Sequence, residues 1–173
     1  SEGLRNLFNK LHTMLLGLEK DYNEEQKKIR IFWSYKSYLS ICEALLILDD
    51  ILIKNDNIEG FKKDSVNYAL MGRFGNVMLI NWDTNYELNV KRGEVVRFYL
   101  TNAANARPFN LSIEGTKLKI VGSDIGKYEK EFLSESLVLG SAERYIVEAY
   151  FKEPGVYKIL NKNKVLARLN YNF

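Results

Sequence analysis

From Ala44 onward, short apolar runs alternate with turn chemistry at roughly the 8–12-residue spacing of an all-β sandwich or barrel. Leu45-Leu46-Ile47-Leu48-Asp49-Asp50-Ile51-Leu52-Ile53 reads as a buried strand, and Lys54 to Asp64 as a polar loop. Further strands are read at Asn76–Asn81, Val95–Leu100, Phe109–Ile113, Leu118–Val121, Ser136–Leu139, Arg144–Phe151, Val156–Leu160 and Val165–Leu169. In the run from Val95, alternation turns Val96, Phe98 and Leu100 to one face and Arg97 and Tyr99 to the other. Lys91–Glu94, Glu114-Gly115, Gly122–Gly126, Pro154-Gly155 and Asn161–Lys164 supply the turns. No helical run interrupts the series, which argues against a parallel βαβ sheet.

The residues before this series have a different period. Leu4, Leu7, Phe8, Leu11, Met14, Leu15 and Leu18 recur at three- and four-residue intervals, which places them on one helix face. Asn23 is a candidate helix cap with Gln26 three residues on. Ile29, Phe32, Trp33, Tyr35, Tyr38, Leu39 and Cys42 then fit a second helix, with a strand as the competing reading of Ile29 to Trp33. The expected organisation is a helical N-terminal segment over 1–43 and a β-sandwich domain over 44–173.

Composition narrows the chemistry. The 173 residues hold one His and one Cys, so an internal disulfide, a cysteine-rich metal site and a multi-histidine centre are all excluded for this chain alone. The net charge of +3 and a pI near 8.8 are too mild to point to nucleic acid. Asp49, Asp50 and Lys54 interrupt the most apolar stretch, so no membrane span is expected. No signal peptide is legible, and the compartment stays open.

Six phrases carry a resemblance. They are Leu46-Ile47-Leu48-Asp49-Asp50, Gly75-Asn76-Val77-Met78-Leu79-Ile80-Asn81, Val90 to Phe98, Leu100-Thr101-Asn102-Ala103-Ala104-Asn105-Ala106-Arg107, Ile120 to Gly126, and Gly140-Ser141-Ala142-Glu143-Arg144-Tyr145-Ile146-Val147. In order and spacing they resemble the middle cupredoxin-like domain of three-domain, laccase-type multicopper oxidases. Three departures stand out: Trp82 replaces a Gly, Asp124-Ile125-Gly126 replaces Asp-Gly-Gly, and Gly140-Ser141-Ala142-Glu143-Arg144 replaces Pro-Gly-Glu-Arg. The resemblance implies a mainly β, Greek-key cupredoxin-like sandwich behind the helical segment. It also implies that this domain carries no copper ligand of its own, that copper belongs only to complete members, and that members are often exported.

Each candidate for chemistry has a structural reading beside it. A type 1 copper site needs two His and one Cys with a weak axial ligand. His12, Cys42, Met14, Met71 and Met78 do not supply that set, so no metal, cofactor or catalytic residue is expected. Cys42 reads as a buried, inert thiol. Asp49 and Asp50 point to opposite faces, one solvated and one turn-forming, and Glu24-Glu25 reads as a helix start. Arg97, Asn102, Arg107, Asp124, Glu143 and Arg144 are expected to hold turns and pair with carboxylates. Lys27, Lys28, Arg30 and Lys36 among Phe32, Trp33, Tyr35 and Tyr38 read as an aromatic amphipathic helix facing a protein surface rather than a single-stranded nucleic acid. Gly72-Arg73-Phe74-Gly75 lacks the spacing of a phosphate loop. Trp82, Tyr86 and the loop around Asp83 form a candidate glycan site if their rings are exposed together.

The leading expectation is a copper-free structural or interaction module, partnered by a second copy or another protein through its N-terminal helices. The alternative is a fragment or subunit of a split laccase-type oxidase, a copper-dependent oxidoreductase only when other chains supply the copper ligands.

Overall fold

The computed structural model describes residues 41–60 and 65–172. The readings made on residues 1–40, including the helical stripes, His12 and the basic-aromatic cluster, lie outside the described residues.

Two sheets form the body. The first runs, in spatial order, through β4 (Val77–Ile80), β1 (Ile41–Ile51), β6 (Val95–Asn102), β11 (Arg144–Tyr150), β8 (Leu118–Ser123) and β9 (Gly126–Ser134). The second runs through β10 (Leu137–Leu139), β7 (Phe109–Ile113), β12 (Gly155–Asn161), β13 (Lys164–Asn172) and β5 (Tyr86–Lys91). A small hairpin, β2 (Ile53–Lys54) and β3 (Asn57–Ile58), stands apart. β1 pairs parallel with β6, and β13 parallel with β5, while the remaining pairs are antiparallel. Neighbours so distant in sequence require crossovers between the sheets, which gives the mixed, Greek-key-like topology expected.

Alternation builds the core. In β6, Val96, Phe98 and Leu100 are buried while Arg97 and Tyr99 are half-buried on the other face, as read from the sequence. Phe109, Leu111 and Ile113 come from β7, and Leu169 and Tyr171 from β13, to meet them between the sheets. Fully burying each of these large side chains contributes on the order of 1.5–3 kcal/mol. Phe151, Tyr157 and Tyr171 cluster at one end, with ring centroids 4.5 and 5.7 Å from Phe151. There the Gly93 N–H donates to the Tyr171 hydroxyl at 2.6 Å, which ties the turn before β6 to the last strand.

Several local readings are corrected. β1 begins at Ile41, so Cys42 lies on a strand and not at the end of a helix. β1 is not buried on both faces: Ala44, Leu46, Leu48 and Asp50 point inward, while Glu43 and Leu45 are exposed. Its neighbours β4 and β6 lie in the plane of the sheet and cover neither face, so only the inner face is buried, in the core between the sheets. A helix, α1 (Ser65–Met71), interrupts the series of strands and buries none of its residues. β5 and β9 were not read as strands. Both are sheet edges, and β9 carries Lys127, Glu129, Lys130 and Glu131, the charges that edge strands use against unwanted pairing. No helix among the described residues is long and apolar enough to cross a membrane.

Two hairpins close with two residues of positive φ, the signature of a type I′ turn. Asn55 and Asp56 (φ 49° and 60°) join β2 to β3. Asn81 and Trp82 (φ 49° and 67°) follow β4, where Ile80 and Asp83 exchange both backbone hydrogen bonds at 2.9 Å. Asn and Asp tolerate this region, but a bulky residue there costs roughly 1–2 kcal/mol.

Candidate functional site

Among the described residues, the copper donors that the sequence offers, Cys42, Met71 and Met78, do not converge. Cys42 sits near the start of β1, half-buried, and burial followed by the charge of Glu94 pushes its thiol above the ordinary value of 9.0. Met78 pairs with Asp50, eight residues further along the same strand (50 − 42), which is about 26 Å at the rise of an extended chain. The Met78 sulfur instead accepts from the Asn161 amide at 3.2 Å. Met71 is 80% exposed on α1. Among the described residues, no three His, Cys, Asp or Glu side chains are grouped to hold a metal ion. A lone thiol with a raised pKa, a strand's length from the nearest β1-paired thioether, does not fit a type 1 copper centre.

What does converge is a polar junction built from the phrases singled out in the sequence. Asp50, at the inner end of β1, is 7% exposed and is not a turn residue. Its Oδ2 accepts from Arg107 Nε at 2.6 Å and from the Gly75 N–H at 2.7 Å. Arg107 also donates to the Gly75 carbonyl at 2.6 Å, and its guanidinium lies 5.4 Å from the Phe74 ring centroid. Gly75 allows this closure because a Cβ there would stand 2.5 Å from the Ile51 carbonyl oxygen. Asn102 is fully buried, donating to the carbonyls of Arg107 and Leu139 at 2.8 and 3.1 Å and accepting from the Ala104 N–H at 3.0 Å. The Asn105 side chain takes the Arg73 N–H at 2.6 Å. Three distant segments are thereby locked at one end of the sandwich. Asp50 Oδ1 is buried without a partner, so the junction holds a carboxylate that is only half satisfied.

The other flagged polar residues serve turns and ion pairs. Asp124 receives both the N–H and the Nε of Arg144, at 3.2 and 2.7 Å, and this pairing holds its carboxyl below the ordinary value. Glu143 accepts from the Gly140 N–H at 2.6 Å, two residues before the tight turn at Ala142 (φ 66°). Asp49 faces the other side of β1 from Asp50 and accepts the Asp50 N–H at 2.7 Å.

One cluster went unread. Glu43, Arg97, Glu148 and Lys119 are successive cross-strand partners on the outer face of the six-stranded sheet. Glu148 takes two hydrogen bonds from Arg97 and one from Lys119, whose ammonium stands 3.0 Å away and also reaches Glu131 at 2.8 Å. Burial opposes the charge on Glu148, but Lys119 and Arg97 outweigh it, so the carboxyl is held below its ordinary 4.5. Lys119 and Glu148, each a charge inside an apolar strand run, were the available signal. The row is internally neutralised and presents no acid–base couple. The Trp82 ring is exposed, whereas Tyr86 packs against the core, so the two rings form no joint platform.

The fold has known counterparts. A family model described as multicopper oxidase matches residues 36–172. A laccase from Pediococcus acidilactici is 20% identical, with 76% of this chain and 28% of that chain covered at a TM-score of 0.66. A multicopper oxidase from Pseudomonas thermotolerans is 22% identical, with 75% and 32% covered at 0.66. A Campylobacter jejuni multicopper oxidase described as a metallo-oxidase is 28% identical, with 79% and 31% covered at 0.61. Comparison with curated proteins finds no matching sequence. The chain thus spans about three-tenths of the length of these oxidases. With the family model covering most of its length and the same sandwich recurring in solved oxidases, the chain belongs to the multicopper oxidase family.

Proposed function

We propose that this chain is a copper-free, cupredoxin-like module of an oxidase assembly, equivalent to the middle domain of three-domain members, with no catalysis of its own. The observation that carries the reading is the use made of its polar residues. Asp50, Asn102, Arg107, Asp124, Glu143 and Arg144 are spent on turns and ion pairs, and the thiol and the Met78 thioether stand at opposite ends of β1. The test is elemental analysis and a copper titration of the purified chain. No stoichiometric copper is expected, and tight one-to-one binding would overturn the reading.

A second reading is a subunit or fragment of a split oxidase, active once chains carrying the copper ligands complete it. It is favoured by the 28% identity to a metallo-oxidase of which this chain spans 31%. Oxidase activity regained on mixing with a chain that bears the His-rich motifs would support it.

A further inference from the structure

We draw no further inference here: the strongest candidate, the surface patch where α1 exposes Val66, Leu70 and Met71 and is followed by an exposed Phe74, carries nothing because nothing in the structure shows what covers it.

Discussion

Gly75 and Trp82 lie at the two ends of one short stretch of chain, and they show two different ways in which a backbone can ask for glycine. At Gly75 the demand is contact: a methyl group would meet backbone atoms of Asp50 and Ile51 at 2.5–2.7 Å, and backbone cannot swing aside. At Trp82 the demand is only torsional, because the side chain projects into solvent from a positive φ. Steric exclusion inside a locked junction leaves no alternative residue. A torsional penalty of roughly 1–2 kcal/mol is tolerable wherever other gains offset it. Ala142, at φ 66°, is a second case of the tolerable kind.

The comparison is broken most forcefully at the junction. Asp50→Ala leaves Arg107 and the Gly75 N–H without their shared carboxylate, and removing one partner of a buried pair is expected to cost about 3–4 kcal/mol in urea unfolding. Gly75→Ala is expected to cost about 2–3 kcal/mol by overpacking; a neutral result would show that the two segments can part cheaply. Away from both turns, Glu148→Gln removes charged acceptors from Arg97 and Lys119 and is expected to cost about 2 kcal/mol at neutral pH.

The same variant has a pH signature. The folded-state pKa of Glu148 is lowered, so the unfolded chain binds the proton more readily. Its contribution is therefore fully present above the ordinary value of 4.5 and lost as pH falls through the depressed one. Stability measured below pH 4.5 is expected to fall less steeply in Glu148→Gln than in the parent. The smallest effect tests the torsional arm alone: Ala142→Gly is expected to raise stability by about 1 kcal/mol, and a loss would mean that φ is not what constrains that turn.

Legibility in the sequence followed the range of the physics. The alternation of β6 and β7, and the turns at Lys91–Glu94 and Asn161–Lys164, rest on neighbouring residues and were readable. β9 was missed because its charges suit an edge, and being an edge is a property of the whole sheet. α1 was missed because two turns of exposed helix leave no apolar stripe directed at a core. The polar residues of the junction were flagged by resemblance, but their partners were not. Asp50 meets Arg107 across 57 positions, and Arg97 meets Glu148 across 51.

The sequence by itself determined the class of fold and the poverty of the copper donor set. Periodicity is written residue by residue, and one His with one Cys is a count that no folding can enlarge. Only the tertiary structure decided that Asp50 is a buried ion-pair partner rather than a turn residue, and that Lys119 and Glu148 neutralise each other on a sheet face. It also set Trp82 at a positive φ with its ring in solvent. Each of these depends on strand order and register, which bring together residues that local preferences cannot relate.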